Sequence, residues 1–151
     1  MKKTYILSVI LFTIVCIFGM IMSGCITCFF DIGSLAMVLL STFIMMLANY
    51  STAEIKNAFT LGFSRDLPEP PALKAGIIFF KAFQKYLILS GAMGFFLGLI
   101  AMLALLDAPE IIGRGMALAL LSVLYAVFFS AVIAVPFRTG LEKKLAEAEN
   151  K

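Results

Sequence analysis

The stretch Gly115–Phe137, GMALALLSVLYAVFFSAVIAVPF, contains no Asp, Glu, Lys, Arg or His. Three further stretches share this property, at residues 4–30, 32–53 and 86–106. Each has about twenty residues or more, the length that a helix needs to cross a hydrocarbon core of roughly 30 Å. The chain is also 62% hydrophobic and 14% charged, far more apolar than a soluble domain. The sequence therefore predicts an all-α integral membrane protein with four transmembrane helices.

The chain is long enough for one membrane domain, which we expect over residues 1–151. Its helices are predicted at about 5–30, 32–50, 72–106 and 113–148, with a connection at about 51–85. Unbroken helical patterns outside the apolar stretches indicate that helices three and four extend beyond the bilayer. Pro136 is expected to kink the fourth helix.

The predicted 51–85 connection divides into two helical parts. Ser51 and Glu54 have the spacing of a capping box, so a short amphipathic helix on the membrane surface is predicted at about Thr52–Phe63. Pro68, Pro70 and Pro71 interrupt helical structure and mark a linker.

Basic residues are distributed unequally between the two ends of the predicted helices. One end, which carries both termini and the long connection, holds these Lys and Arg residues: Lys2, Lys3, Lys56, Arg65, Lys74, Lys81, Lys85, Arg138, Lys143, Lys144 and Lys151. The other end holds Arg114 beside Asp31, Asp107 and Glu110. Because Lys and Arg accumulate in cytoplasmic loops, both termini are predicted to be cytoplasmic.

The first apolar stretch has a second interpretation, a lipoprotein signal that ends near Cys25. We favour a transmembrane helix, because the apolar run exceeds the usual signal length of about 7–15 residues. Cys25 and Cys28 form a C-x-x-C pair near its outer end, where a disulfide could form. The pair and Cys16 also suit a role as small packing residues, which we favour.

The sequence contains no His and only three Cys, so no four-ligand zinc site, other metal site or cofactor is predicted. No nucleophile and base pair is evident, and we expect no enzymatic activity. The net charge of +3 is dispersed, which does not indicate nucleic-acid binding.

Small residues recur every four positions in the third and fourth apolar stretches. Ser90, Gly94 and Gly98 form one stripe; Ser122, Ala126, Ser130 and Ala134 form the other. Small residues allow helices to approach closely in lipid, so we expect these two helices to pack tightly. The hydroxyls of Ser122 and Tyr125 lie one turn apart and serve either packing or an ion path.

Several motifs resemble the MotA branch of the MotA/TolQ/ExbB family. They are FDIGS at 30–34, Thr42, EIKNAF at 54–59, GLIAML at 98–103, Leu106–Pro109, IGRGMALALLSVLY at 112–125 and Pro136. The resemblance covers about two thirds of the chain, in order.

The resemblance implies a homopentamer in the bacterial inner membrane, around two copies of a single-span MotB/TolR/ExbD-like partner. A transmembrane Asp of that partner binds the proton or sodium ion, and ion flow turns the pentamer. This division of labour would explain why the apolar stretches lack carboxylates, which ion-translocating proteins usually place inside the bilayer. Phe95, Ser122, Val123 and Tyr125 would then face the ion path or the partner.

Three departures from the family pattern qualify this prediction. Phe95 and Val123 occupy positions where Thr is associated with sodium use, so protons are favoured. Ile88 replaces a family Pro, which leaves Pro136 as the family-like hinge. The cytoplasmic connection is roughly a third of the flagellar insertion of about a hundred residues, which argues against torque on a flagellar rotor.

The leading hypothesis is therefore a stator subunit of a proton-driven rotary motor. A non-conducting structural or assembly protein of the same fold is the alternative. A stand-alone small-solute transporter is a third, weaker hypothesis, because the stretches lack charge.

Overall fold

The computed structural model describes residues 3–64, 68–104 and 109–149. All regular elements in this part of the chain are helical, which confirms that the fold is all-α. The six α-helices are α1 (Lys3–Met22), α2 (Ile32–Asn49), α3 (Thr52–Phe63), α4 (Pro70–Leu103), α5 (Pro109–Phe129) and α6 (Val135–Glu149). A 3₁₀ turn (Ile26–Phe29) precedes α2, and a π-helical segment (Ser130–Ala134) joins α5 to α6.

The first helix is shorter than the predicted 5–30, because α1 ends at Met22. Gly24 follows with a φ of 77°, a left-handed conformation that glycine adopts without the steric cost of a Cβ. The chain then forms the 3₁₀ turn, within which a disulfide joins Cys25 to Cys28. The sequence left this bond open and favoured packing roles for the two cysteines; the structure shows that they are bonded to each other. Cys16 is free and half-buried.

The start of α3 has the predicted capping box. The Ser51 N–H donates to Glu54 Oε2 at 2.7 Å, and the Glu54 N–H donates to Ser51 Oγ at 3.3 Å. Two of the backbone donors that a helix start leaves unpaired are thus satisfied. The helix runs from Thr52 to Phe63, the bounds expected from the sequence.

The fourth predicted helix corresponds to α5, the π segment and α6, which follow one another without a loop. The α-helical hydrogen bonding is interrupted in the π segment. Pro136 has no N–H, so the α-helical bond to the carbonyl four residues earlier cannot form. The preceding turn widens, and the Val135 N–H bonds to Ser130 O, five residues earlier. The predicted irregularity at Pro136 is therefore a π segment one turn ahead of the proline.

Helix α4 is the centre of the packing, because α2, α3, α5 and α6 all contact it. It is antiparallel to the α5–α6 rod and, at 34 residues, is roughly 51 Å long. By contrast, none of the side chains described in α1, from Leu7 to Met22, is buried. Phe18, for example, is 61% exposed.

An aromatic cluster joins the helix ends beside α3. Phe137 stacks on Phe80, with ring centroids 5.0 Å apart. Edge contacts connect Phe137 to Phe59 at 5.7 Å and to Phe63 at 5.0 Å. The ammonium of Lys144 on α6 donates to the Leu61 and Ser64 carbonyls at 3.0 and 2.6 Å, which satisfies acceptors at the carboxyl end of α3. These contacts hold α3 against α4 and α6.

Three segments of the described chain are long and apolar enough to cross a membrane: Ile26–Asn49, Pro70–Leu103 and Ile112–Glu149. A further apolar segment, Leu7–Met22, is shorter. Length and composition therefore support three candidate crossings, one fewer than the four predicted.

We predict that Gly62→Ala destabilises the protein by about 1–3 kcal/mol, the usual cost of overpacking. A Cβ at Gly62 would lie 2.2 Å from Cδ1 of Phe137, whose ring is held by three other aromatic rings. The thermal midpoint of the purified protein, followed by circular dichroism in detergent, measures the effect. Gly140→Ala is the matched control, because a Cβ there meets nothing within 4 Å. Equal midpoints for the two variants would contradict the prediction.

Candidate functional site

The closest helix contact is the seam between α4 and α5, which contains most of the predicted small residues. A Cβ added at Gly94 would lie 2.6 Å from Cβ of Ser122, and one added at Gly98 would lie 2.9 Å from Cβ of Ala119. Because an added methyl group would clash at both positions, the glycines set the separation of the helices. The seam makes α4 and α5 a single tightly packed unit.

The remaining predicted packing residues lie along the same unit. Ala126, with 2% exposure, and Ser90, with 7%, are buried. Ser130 is buried within the π segment, and Pro136 is buried at the start of α6. The expected stripes therefore lie inside the protomer, at its helix contacts.

Hydroxyl groups supply the buried polar side chains of the three-helix core. The set is Ser34, Thr42, Ser90, Ser122 and Ser130. Thr42 Oγ1 lies 2.7 Å from Val38 O and 3.2 Å from Ser90 Oγ. Both contacts are satisfied if Ser90 donates to Thr42 while Thr42 donates to the carbonyl. The contact between Thr42 and Ser90 connects α2 to α4 without placing a charge in the core.

Ser122 is fully enclosed by its own protomer. Its side chain packs against Gly94, and its hydroxyl donates to Leu118 O at 3.1 Å. Only 2% of the residue is exposed. In this conformation the Ser122 hydroxyl is hydrogen-bonded inside the contact between α4 and α5.

Tyr125 fastens α5 to the connection between α1 and α2. Its hydroxyl donates to Phe29 O at 2.7 Å and accepts the Asp31 N–H at 2.9 Å. Asp31 in turn caps α2, since its carboxylate accepts the Ser34 N–H at 2.6 Å. One phenol therefore satisfies two backbone groups of a non-helical segment.

The position of Tyr125 shows which part of α5 this connection meets. Tyr125 is the tenth residue after Gly115, where the charge-free stretch Gly115–Phe137 begins, roughly 15 Å along the helix. Its side chain spans only part of that distance, so Phe29 and Asp31 lie beside the apolar part of α5. Polar backbone groups beside an apolar helix surface need partners within the protein, and Tyr125 provides them for the Phe29 carbonyl and the Asp31 N–H.

The other two predicted site residues have different surroundings. Val123 is 38% exposed on α5. Phe95 is half-buried on α4, and its ring centroid is 5.8 Å from that of Phe96. The four predicted residues therefore differ in exposure: Ser122 and Tyr125 are buried, Phe95 is half-buried and Val123 is exposed.

The accessible surface of the α4–α5 unit is apolar over the charge-free stretches. The large exposed side chains are Ile88, Leu89, Met93, Phe96, Leu97, Ile100, Leu103, Met116, Leu120, Val123, Leu124 and Val127. Such a surface can contact lipid, another copy of the chain or an apolar helix of a partner. In the part of the chain that the structure describes, no group of three or more His, Cys, Asp or Glu side chains could hold a metal ion.

Sequence reasoning missed several residues that build this unit. Gly91 lies in the seam, where an added Cβ would be 2.4 Å from Cβ of Ala126. It follows the pattern i, i+3, i+7 with Gly94 and Gly98, a spacing that could have identified it. No sequence pattern indicated the backbone partners of Tyr125, because every residue has a backbone N–H or a carbonyl that could bond to it.

A cavity of about 400 Å³ lies between α3 and the beginning of α4. Tyr50, Glu54, Asn57 and Phe79 are among its lining residues. Burial raises the pKa of the Tyr50 hydroxyl, whereas the Ser51 backbone N–H, which donates to Glu54, lowers the pKa of that carboxyl. At neutral pH the cavity therefore presents a neutral phenol and one carboxylate.

We predict that Tyr125→Phe destabilises the protein by about 1–3 kcal/mol, because two backbone groups lose their partner. Amide hydrogen exchange at Asp31 should become faster, and the thermal midpoint should fall. Tyr86→Phe, which removes the same atom from a half-buried tyrosine of α4, is the control. If Asp31 exchanged at the same rate in both variants, the fastening role of Tyr125 would be wrong.

Comparison with known proteins agrees with this architecture of long apolar helices without a carboxylate, amine or imidazole in their central stretches. No match was found among curated proteins. The model of the MotA/TolQ/ExbB proton channel family matches residues 35–151, which include α2 from its first turn and all of α3 to α6. The chain therefore belongs to the MotA/TolQ/ExbB proton channel family.

Proposed function

We propose that this chain is the channel and stator subunit of a proton-driven rotary motor in the bacterial inner membrane. Five copies surround two copies of a single-span partner of MotB, TolR or ExbD type, whose transmembrane Asp binds the ion. The chain is a short member of the MotA branch, with a reduced cytoplasmic connection. Family membership supports the channel role.

The observation that carries the proposal is the chemistry of the α4–α5 unit. Its charge-free stretches, 86–106 and 115–137, contain no carboxylate, amine or imidazole that could bind a proton. Its accessible surface is apolar, with Phe96 and Val127 exposed by 55% and 56%. Because ion pathways in membranes are usually marked by ionisable residues, a wall of this kind leaves the ion-binding carboxylate to another chain. Phe95 and Val123 then form an apolar part of the wall along the proton route.

The tight seam supports a rotating ring. Because Gly91, Gly94 and Gly98 prevent any gap between α4 and α5, the two helices move as one body. The π segment and Pro136 lie at the one irregular point of the α5–α6 rod, where bending costs least. A ring of five such units can therefore turn around the partner without separating its helices.

The proposal includes four crossings with both termini in the cytoplasm. The added crossing is α1, whose exposed apolar side chains require lipid or protein around them. The inequality of Lys and Arg between the two ends supports this orientation. The connection with Cys25 and Cys28 then faces the oxidising side of the membrane, where a disulfide persists.

One observation favours the alternative, a non-conducting structural or assembly protein. The hydroxyls of Ser122 and Tyr125 are both used within the protomer, so neither is free to line an ion path in this conformation. A proton route would then depend on water around the partner's carboxylate.

Proton flux in sealed vesicles distinguishes the two functions. We expect flux when the chain is reconstituted with the single-span product of a neighbouring gene, and none with the chain alone. Replacing the transmembrane Asp of that partner with Asn should abolish the flux while the complex remains intact. Absence of flux from an intact complex would favour the structural role. A purified monomer or dimer that binds no single-span partner would contradict the 5:2 assembly.

Thiol labelling tests the orientation. In intact spheroplasts, a membrane-impermeant maleimide should label Cys25 and Cys28 only after an impermeant reductant has opened their disulfide. Asn57→Cys, made with Cys25→Ser and Cys28→Ser, places a thiol at an exposed position of α3, on the side predicted to be cytoplasmic. This thiol should react only after permeabilisation. Labelling of the Asn57→Cys protein in intact cells would reverse the orientation.

A further inference from the structure

One exposed face of α4 changes from basic to apolar within about one helical turn. Lys81 and Lys85 are exposed, four residues apart, and lie one above the other. Ile88 and Leu89, each 50% exposed, continue this face toward the charge-free stretch. We call these four residues the lysine face.

The two lysines have no acidic partner among the described residues. Lys74, farther along the same side of α4, forms an ion pair with Glu149 at 3.2 Å. No ion pair of Lys81 or Lys85 is present in the part of the chain that the structure describes. The lysine face therefore carries two uncompensated ammonium groups.

Neighbouring helices place this face at the edge of the bilayer. Tyr50, directly after the end of α2, packs edge-on against Phe79 with ring centroids 5.2 Å apart. The end of the α2 candidate span is thus level with Phe79, one turn or less from Lys81. Tyr86 follows Lys85, and tyrosine favours the same interfacial depth.

We propose that the lysine face binds an anionic phospholipid. Its phosphate lies between the ammonium groups of Lys81 and Lys85, which are separated by one turn, roughly 6 Å along the axis. One acyl chain lies along Ile88 and Leu89, which are each 50% exposed. The aliphatic stems of the lysines lie along the apolar surface while their charges reach the headgroup.

The charge pattern favours this occupant over a protein segment. An acidic peptide would pair with the lysines but would leave Ile88 and Leu89 uncovered. An apolar helix would cover those two residues but leave the ammonium groups unpaired. An anionic phospholipid has both parts in the required order, charge outside and hydrocarbon inside. The proposal depends on membrane insertion and not on ion conduction, so it can fail while the motor function stands.

Lipid retention by the full-length protein tests the proposal. Native mass spectrometry after addition of phosphatidylglycerol or phosphatidylethanolamine should show preferential retention of phosphatidylglycerol. Lys81→Gln and Lys85→Gln should each weaken this binding by about fivefold, the effect of one interfacial lysine. Increasing the salt concentration should reduce the preference.

Lys74→Gln is the matched control, because it removes the same charge from the same side of α4, away from the bilayer edge. Its phosphatidylglycerol binding should be unchanged. The proposal is overturned if this variant loses as much binding as Lys81→Gln, or if both lipids are retained equally. Displacement of the lipid by millimolar inorganic phosphate would instead identify a site for soluble anions and would also overturn it.

Discussion

The close approach of α4 and α5 is the contact on which the rest of the structure depends. Within a bilayer, helices gain no hydrophobic free energy by leaving lipid for one another. Their association therefore requires surfaces that fit, and Gly91, Gly94 and Gly98 remove the side chains that would hold the helices apart. Ser122 and Ala126 fill the space that remains. With this pair formed, α2 has a continuous surface against which to pack.

Polar groups inside the apolar part of the fold form hydrogen bonds with uncharged groups of the same chain. Thr42 and Ser90 share a contact, Ser122 uses a carbonyl of its own helix, and Tyr125 satisfies two backbone groups outside α2. Each hydroxyl reduces the cost of burying polar atoms in hydrocarbon. The packed helices consequently bury these Ser and Thr hydroxyls and expose apolar side chains over the charge-free stretches of α4 and α5. The α4–α5 unit is suited to contact with lipid or with other helices, because the large exposed side chains of its charge-free stretches are apolar.

Patterns with a local physical cause were read correctly from the sequence. The capping box of Ser51 and Glu54 depends on groups three residues apart, and the irregularity near Pro136 depends on a missing N–H. The Gly94 and Ser122 stripes follow from helical periodicity. The end of α1 at Met22 was missed, because the apolar pattern continues past Gly24 and hydropathy does not report a left-handed φ. For the same reason, the sequence did not decide whether Cys25 and Cys28 are bonded. The apolar pattern does not distinguish a continuous helix from a 3₁₀ turn.

The sequence by itself determined that the chain enters a membrane and is all-helical, and that its charge-free stretches lack carboxylates, amines and imidazoles. These properties depend on residue type and short-range periodicity. Only the tertiary structure decided that Ser122 and Tyr125 face into their own protomer and that the connection before α2 lies beside the apolar part of α5. Both outcomes require contacts between residues far apart in the chain, such as Phe29 with Tyr125. The packing of the helices decides which backbone groups the Tyr125 phenol contacts. The pattern of residues along the chain does not specify that packing.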